Sequence, residues 1–278
     1  MHTKPDIEKT AAEEFSVASR MISANVPPFV IAEISGNHAG SIDNAFALIR
    51  AAKQAGADAV KFQTYEASTL TINSSEAPFV VDTPLWRGRT LFELYAQAQT
   101  PFSWHADLFK CAADEGIMAF SAPFDLTAVD LLESLDCPLY KIASCELVDL
   151  PLIQRVAQTG KPIIMSTGMA TYDEVAEALS AARSFGERDI VLLHCVSGYP
   201  TELADANLAS IAGLKKKFGV HVGLSDHSTG TIAATCAIAM GAVVIEKHLC
   251  LDSVDGAVDS DFSLNPAEFS ALVKACTA

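Results

Sequence analysis

The sequence predicts an α/β protein, a (β/α)8 TIM barrel. Short apolar runs alternate with helical patterns along the chain, and eight such runs follow Pro28. Each run is continuously apolar, which is typical of parallel strands that helices cover on both faces. Eight strand–helix units in a chain of this size match a closed barrel. A doubly wound open sheet is the alternative, because counting strands does not distinguish the two folds.

The predicted strands occupy most of the chain after a polar N-terminal stretch. In order they are Phe29–Glu33, Ala59–Thr64, Met118–Ser121, Leu139–Ala143, Pro162–Ser166, Ile190–Cys195, His221–Ser225 and Val243–His248. We therefore divide the chain into an N-terminal extension, residues 1–28, and a TIM-barrel domain, residues 29–278.

Helix signals lie between these strands. Ser41 can cap a helix whose apolar residues repeat at helical spacing. Two pairs, Thr171 with Glu174 and Asn265 with Glu268, have the spacing of a capping box. Glycine readily adopts the left-handed conformation that ends a helix. It precedes six of the strands, at Gly56, Gly116, Gly160, Gly186, Gly219 and Gly241.

One insert, residues 66–103, is too long for a simple strand-to-helix loop. It contains Trp86 and Tyr95. One interpretation is an extra hairpin or helix on the barrel rim that contacts another subunit. The other is a lid over the substrate, because the loops at this end of a TIM barrel form its active site.

Composition excludes several classes of protein. The chain has 278 residues, of which 50% are hydrophobic and 19% are charged, so most of it is not disordered. A formal net charge of −15 argues against nucleic acid and anionic membranes as partners. We find no signal peptide and no apolar stretch long enough to span a membrane. The seven cysteines form no Cys-x-x-Cys pair, which favours reduced thiols in the cytoplasm.

Polar side chains follow the predicted strands at their C-terminal ends. Ionisable groups in apolar strands are costly unless they are paired or bind a ligand. Because these ends form the active site of a TIM barrel, the sequence predicts a polar site there. The candidate residues are Glu33, Lys61, Gln63, Ser121, Lys141, Ser144, Glu146, Ser166, Ser197, Ser225, Asp226, His227 and His248.

Two sets of these residues indicate particular chemistry. His227 and His248 end adjacent strands, which lie about 5 Å apart, so both can reach one metal ion. Lys61 and Lys141, with nearby serines, indicate a site for phosphate or another anion. A Schiff-base lysine of an aldolase is the alternative for either lysine. The chain has neither the dinucleotide-binding glycine motif nor the P-loop motif.

Several segments together resemble the sialic acid synthase family, in order, over roughly residues 28–275. They are Ile31–His38, Ala59–Thr64, Phe120–Asp125, Tyr140–Ser144, Ser166–Met169, Gly223–His227 and Glu246–His248. Within the family, Ser35–His38 and Leu85–Tyr95 are most similar to the branch that makes pseudaminic acid. The neuraminate and legionaminate branches are the alternatives.

The resemblance implies a reaction and its cofactor. Phosphoenolpyruvate condenses with an N-acetylated amino-sugar aldehyde to give a nine-carbon 2-keto sugar acid and phosphate. In the pseudaminic branch the sugar is 2,4-diacetamido-2,4,6-trideoxy-L-altrose. Such enzymes use a divalent metal ion, Mn²⁺ or Mg²⁺, and the resemblance also implies a homodimer.

The resemblance further implies a role for each candidate. His227 and His248 hold the metal, and Asp226 orients one of these histidines as a hydrogen-bond acceptor. Glu146 orients or deprotonates the attacking water. Glu33 and Asp259 bind sugar hydroxyls near the aldehyde. Phosphoenolpyruvate binds to Lys61, Lys141, Ser144, Ser166 and Ser225, and further sugar or phosphate contacts come from Gln63, Ser197 and Tyr199.

The chain departs from the family pattern in three places. Ala122 stands where the family commonly has threonine, so Ser121 is the candidate to supply the missing hydroxyl. Val196 and Ser197 also differ from the family, which affects sugar specificity. The chain ends at Ala278, before the small antifreeze-like domain that covers the partner's barrel in the family. Four alternatives follow. The sequence is a truncated form, the barrel is active alone, a separate protein caps the barrel, or the barrel binds a partner without catalysing a reaction.

Overall fold

The computed structural model describes residues 15–17, 20–187 and 189–278. Within these ranges, eight parallel strands close into a barrel. The strands follow one another around the barrel in chain order, and the last pairs with the first. The predicted TIM barrel is therefore confirmed, and the open doubly wound sheet is wrong.

Two short antiparallel strands, β1 (Phe15–Val17) and β2 (Arg20–Ile22), precede the barrel. The barrel strands lie within two residues of their predicted bounds, and almost all of their residues are buried. They are β3 (Phe29–Glu33), β4 (Ala59–Thr64), β5 (Met118–Pro123), β6 (Tyr140–Ile142), β7 (Ile163–Ser166), β8 (Ile190–Cys195), β9 (His221–Asp226) and β10 (Val244–His248).

Helices surround the barrel and bury its outer face. They are α1 (Ile42–Ala55), α2 (Ala67–Leu70), α3 (Leu91–Ala98), α4 (His105–Glu115), α5 (Leu126–Ser134), α6 (Leu150–Gln158), α7 (Tyr172–Arg183), α8 (Ser210–Phe218), α9 (Ile232–Ala239) and α10 (Pro266–Thr277). None of the helices in the described ranges is both long and apolar enough to cross a membrane.

The predicted helix ends are confirmed. Ser41 caps α1 by accepting a hydrogen bond from the Asn44 backbone, and Gly56 ends it with a φ of +91°. Both predicted capping boxes form, at the starts of α7 and α10. A third capping box, Thr90 with Glu93, starts α3.

The described part of the N-terminal extension is held against the barrel. The guanidinium of Arg20 lies 2.8 Å from Asp58 and donates to the carbonyls of Pro27 and Pro28. The predicted extension also includes residues 1–14 and 18–19, which lie outside the described residues.

Side chains on each barrel strand alternate between the interior and the surrounding helices. On β10, Glu246 reaches Lys61 and Lys141 across the barrel, so it points inward. Lys247 therefore points outward, where its Nζ lies 2.8 Å from Asp226 of β9. This alternation decides which residues at the strand ends can form a site.

The insert lies over the mouth of the barrel. Trp86 Nε1 donates to the Val258 carbonyl at 3.2 Å, which joins the insert to the loop after β10. Leu94, Ala98 and Val258 form a small hydrophobic cluster that Trp86 also contacts. The structure therefore favours the lid interpretation of residues 66–103, and the interpretation as a subunit contact stays a prediction.

Candidate active site

A cavity of about 450 Å³ opens at the C-terminal ends of the barrel strands. This volume is within the usual range for small-molecule sites. Most of the predicted site residues line it, namely Lys61, Gln63, Lys141, Ser144, Glu146, Ser166, Tyr199, Ser225, His227, His248 and Asp259. The strand ends therefore converge as the sequence predicts.

Four buried ionisable groups form the floor of the cavity. Lys61 Nζ lies 2.9 Å from Glu33 Oε2 and 3.1 Å from Glu246 Oε2. Lys141 Nζ lies 3.3 Å from Glu246 Oε1. Two carboxylates thus balance two ammonium groups, which is the condition under which charges can be buried.

The pKa shifts of these groups follow from burial and pairing. Burial alone would lower the pKa of Lys61, but Glu246 and Glu33 outweigh it and hold that pKa above its ordinary value. Burial would raise the pKa of Glu246, but Lys141 and Lys61 hold it well below its usual range. Burial lowers the pKa of Lys141, which Glu246 offsets only in part.

Two neutral side chains hold the carboxylates of the floor. Gln63 Nε2 donates to Glu33 Oε1 at 3.0 Å, and Ser225 Oγ donates to Glu246 Oε1 at 2.8 Å. Glu33, predicted to bind the sugar, instead lies beneath the cavity and contacts Lys61 and Gln63. Gln63 and Ser225 both line the cavity, and their hydrogen bonds orient the carboxylates of Glu33 and Glu246.

The two histidines lie side by side, with ring centroids 5.4 Å apart. Ser35 Oγ donates to Asp259 Oδ2 at 2.5 Å and lies 3.2 Å from His248 Nδ1. Because the Ser35 hydrogen points to Asp259, its oxygen can accept from His248 Nδ1–H. The Nε2 atom of His248 is then a lone-pair donor.

A backbone carbonyl orients the second histidine. His227 Nδ1 lies 3.2 Å from the Val196 carbonyl, which can only accept a hydrogen bond. Nδ1 therefore carries the hydrogen, and in the neutral ring His227 Nε2 is a lone-pair donor. Cys195 Sγ lies 3.8 Å from the same Nδ1 atom.

This arrangement fits a divalent metal ion, which the two imidazoles would hold through Nε2. Both imidazoles have an acceptor on Nδ1, the usual arrangement for histidines that bind metal through Nε2. Burial lowers the pKa of His248 well below its ordinary value, which keeps the ring in the neutral form that binds metal. No group of three or more His, Cys, Asp or Glu side chains in the described ranges could hold a metal. A metal ion held by the two histidines would take its other ligands from water or substrate.

Glu146 is the candidate base. It lies on the 3₁₀ turn Cys145–Val148 after β6, and burial raises its pKa to about 7. Its Oε2 atom is buried and has no hydrogen-bond partner among the described residues. A carboxylate in this state can accept a proton near neutral pH.

Ser144 and Ser197 lie beside Gly168 in the turn after β7, and Ser166 ends β7 itself; we call these three residues the serine cluster. The Gly168 N–H donates to Ser144 Oγ at 3.2 Å. The hydroxyls of Ser166 and Ser197 are buried and lack partners among the described residues. A Cβ atom on Gly168 would lie 2.5 Å from Ser197 Oγ and 2.7 Å from Ser144 Oγ. A side chain at this position would displace these hydroxyls, and Ser144 and Ser166, which line the cavity together with Lys141, can bind an anion there.

Two predicted roles are wrong because the side chains point away from the site. Asp226 does not orient a histidine: it lies between the inward-facing Ser225 and His227, so it points to the helix layer. There it accepts from Ser228 and pairs with Lys247. The orienting acceptors are instead Val196 and Ser35.

Ser121 cannot replace a phosphate-binding hydroxyl at Ala122. Its Oγ lies 2.6 Å from Thr64 Oγ1, which contacts His105 of α4. This network is buried between the barrel and α4, outside the cavity.

Two residues of the site were missed at the sequence level. Glu246 alternates with His248 along β10, so period-two alternation already predicts that both point inward. Ser35 has a φ of +44°, a conformation uncommon for residues other than glycine. That conformation left no signal in the sequence, although it aims the hydroxyl at Asp259 and His248.

The fold and the cavity define a TIM-barrel enzyme whose site suits a small anionic substrate and a divalent metal. The NeuB family model matches residues 48–278, so the chain belongs to the NeuB family. This confirms the family predicted from the sequence.

Three proteins of known name are similar to the chain. It is 47% identical to pseudaminic acid synthase of Helicobacter pylori over 249 residues, 90% of this chain and 73% of that protein. It is 37% identical to N,N'-diacetyllegionaminic acid synthase of Campylobacter jejuni over 246 residues, 87% of this chain and 73% of that protein. The structure of N-acetylneuraminic acid synthetase from Leptospira borgpetersenii, a citrate complex, aligns with a TM-score of 0.87 and 31% identity, covering 96% of this chain and 88% of that one.

Proposed function

We propose that this chain is a pseudaminic acid synthase. It condenses phosphoenolpyruvate with 2,4-diacetamido-2,4,6-trideoxy-L-altrose to give pseudaminic acid and phosphate. The observation that carries the proposal is the meeting of two lysines, the serines Ser144, Ser166 and Ser225, and a histidine pair in one cavity. The identity of 47% to a pseudaminic acid synthase, against 37% to a legionaminic acid synthase, supports this sugar. N-acetylneuraminate or legionaminate synthase is the alternative.

Phosphoenolpyruvate binds between Lys141 and the serine cluster. Lys61 and Lys141 supply positive charge, and the hydroxyls of Ser144, Ser166 and Ser197 donate to phosphate or carboxylate oxygens. The paired carboxylates beneath them hold the lysines in place, so little reorganisation is needed when the anion binds.

His227 and His248 hold the divalent metal, Mn²⁺ or Mg²⁺. When bound, the metal supplies a Lewis acid to the aldehyde oxygen of the sugar. Ser35, Asp259 and the Val196 carbonyl keep both imidazoles in the orientation that this requires.

Carbon–carbon bond formation and loss of phosphate follow in sequence. C3 of phosphoenolpyruvate attacks the aldehyde carbon, and C2 becomes an oxocarbenium centre. Glu146 accepts a proton from the water that attacks C2. The resulting tetrahedral centre expels phosphate together with the oxygen that joined it to C2. As the keto group forms, the second proton of the water leaves with phosphate, and the proton taken by Glu146 passes to the oxygen of the former aldehyde, which becomes a hydroxyl.

A Schiff-base mechanism fits the lysines less well. The carboxylates of Glu246 and Glu33 hold the pKa of Lys61 above its ordinary value, so Lys61 stays protonated and is not nucleophilic. Lys141 is the remaining candidate, and failure of borohydride to trap a keto acid on it would exclude this mechanism.

A protein partner covers the rest of the mouth in this proposal. Exposed apolar side chains follow five successive barrel strands, at Leu126, Val148, Met169, Leu203 and Ile232. Exposed apolar side chains gathered at one end of a protein are typical of an interaction surface. We propose a homodimer in the cytoplasm, with a separate antifreeze-like cap protein as the alternative; light scattering of the purified chain distinguishes them.

The testing experiment measures phosphate release with phosphoenolpyruvate and Mn²⁺. The sugars are the diacetamido-trideoxy-altrose, its legionaminic counterpart and N-acetylmannosamine. Release with the altrose sugar alone supports the proposal, and release with another sugar assigns the chain to that branch. No release from a folded protein that binds Mn²⁺ favours a barrel that needs a cap or does not catalyse.

A further inference from the structure

The cavity has one wall of apolar side chains, and this wall comes from the insert. Its apolar members are Leu70, Val81, Trp86, Leu91, Leu94, Tyr95 and Ala98, and Thr83 of the same insert also lines the cavity. The basic side chains of the same segment are engaged outside the cavity. Arg87 pairs with Asp82, and Arg89 donates to the Glu93 carbonyl, both in exposed positions. No charged side chain of the described insert residues lines the cavity.

Two further rings that line the cavity, those of Tyr65 and Phe124, pack beside this apolar wall. Tyr65 is buried and packs edge-on against Tyr95 and Phe124, with centroids 6.1 Å and 5.1 Å apart. Edge-on contacts between rings stabilise such clusters beyond their buried area. The wall is therefore a packed surface of fixed shape.

A short series of ring contacts connects the apolar wall to the histidine pair. The Tyr199 ring lies 4.5 Å from the His227 ring and 6.2 Å from the Trp86 ring. A sugar whose aldehyde oxygen meets the histidines therefore extends its far carbons past Tyr199 toward the insert. The far end of the sugar meets apolar side chains, whereas the aldehyde end meets the charged floor.

We propose that the apolar wall selects the sugar by binding the methyl groups at its far end, and that it disfavours a hydroxyl at C6. This inference rests on the proposed function, because that function places the aldehyde at the histidines. A C6 hydroxyl packed against the leucine and valine side chains of this wall gives up its hydrogen bonds to water, and these side chains offer none in return. A methyl group gains contact instead. One such group in an apolar pocket changes binding or kcat/KM by about 10- to 100-fold.

Two alditols that differ only at C6 test the inference without turnover. They are the 2,4-diacetamido sugar with a C6 methyl and its counterpart with a C6 hydroxyl, each reduced at C1 so that it cannot condense. Calorimetry with the Mn²⁺-loaded protein and phosphoenolpyruvate gives both affinities. We expect the 6-deoxy alditol to bind at least about 10-fold more tightly. Equal affinities, tighter binding of the hydroxylated alditol, or no binding of either overturns the inference.

A matched pair of variants locates the selection. Leu70 lines the cavity, and Ile72 of the same insert is 63% exposed. Leu70→Ser is expected to reduce the affinity ratio several-fold, and Ile72→Ser to leave it unchanged. Leu91→Ser is a second wall variant if Leu70→Ser fails to fold. A ratio unchanged in the folded wall variant overturns the assignment to this wall.

Turnover separates this inference from the proposed function. Phosphate release from the two unreduced sugars is measured in parallel. If neither is consumed but the alditols show the expected ratio, the proposed function fails and the selective wall stands. If both are consumed with equal kcat/KM and the alditols bind equally, the inference about the wall is wrong and the proposed function stands.

Discussion

The floor and the apolar wall of the cavity are built in opposite ways. The floor consists of paired charges on strands that belong to the barrel itself, such as Glu246 on β10 and Lys61 on β4. The wall consists of uncharged side chains on an insert outside the barrel. A barrel strand cannot shift without its neighbours, whereas an insert can vary. We infer that the floor sets the reaction and the wall sets the sugar.

The largest effect is expected from a substitution that breaks the ion pairs of the floor. Glu246→Gln leaves Lys141 buried without its carboxylate partner and removes one of the two carboxylates on Lys61. Removing one partner of a buried pair costs about 3–5 kcal/mol, so the free energy of unfolding in urea should fall by that amount. The control is Glu115→Gln, which breaks the exposed pair with Arg50 and should cost less than about 1 kcal/mol. Equal losses in the two variants would contradict the account.

A smaller change fills the anion site without altering any charge. In Gly168→Ala the new methyl group lies within 3 Å of the hydroxyls of Ser144 and Ser197. We expect the affinity for phosphoenolpyruvate to fall at least about 10-fold, because the hydroxyls must move from positions that bind the anion. Calorimetry with phosphoenolpyruvate alone measures this. Unchanged affinity would show that the anion binds elsewhere.

The hydrogen bond that orients His248 can be compared with an ion pair that points away from the site. Ser35→Ala removes the hydroxyl that links His248 Nδ1 to Asp259, and it should lower Mn²⁺ affinity about 10- to 100-fold. Asp226→Asn weakens only the outward pair with Lys247, so it should lower stability and leave Mn²⁺ affinity unchanged. The reverse pattern of affinities would restore the role predicted for Asp226 from the sequence.

The smallest effect concerns pH. Burial raises the pKa of Glu146 to about 7 by disfavouring the carboxylate. The proposed role needs the carboxylate, so kcat/KM should rise as pH increases through about 7 and then level off. Glu146→Gln should lower the rate and abolish this rise. A wild-type profile that is flat between pH 6 and 8, a window of about one unit on either side of this pKa, would exclude Glu146 as the base.

The sequence predicted the strands and most floor residues because both follow from local patterns. Continuous apolar runs mark β3 to β10, and polar residues at their ends must converge in a closed barrel. The errors at Asp226 and Ser121 arose because convergence was considered without alternation. Each residue neighbours an inward-facing position and therefore points to the helices.

Other features depend on contacts that no local pattern contains. Ser35 and His248 meet across 213 positions of sequence, and the meeting depends on an unusual backbone conformation at Ser35. The placement of the insert depends on the contact of Trp86 with Val258, which is also distant in sequence. Composition indicated an aromatic insert, but it did not indicate which side chains face the cavity.

The most direct test of the account follows the oxygen that joins C2 of phosphoenolpyruvate to phosphorus. Attack of water on C2, assisted by Glu146, breaks the carbon–oxygen bond. With that bridging oxygen labelled with ¹⁸O, and with Mn²⁺ and the altrose sugar present, mass spectrometry should find the label in the released phosphate. Label retained in the sugar acid would mean that the phosphorus–oxygen bond breaks, and would contradict the attack of water on C2 that the account assigns to Glu146.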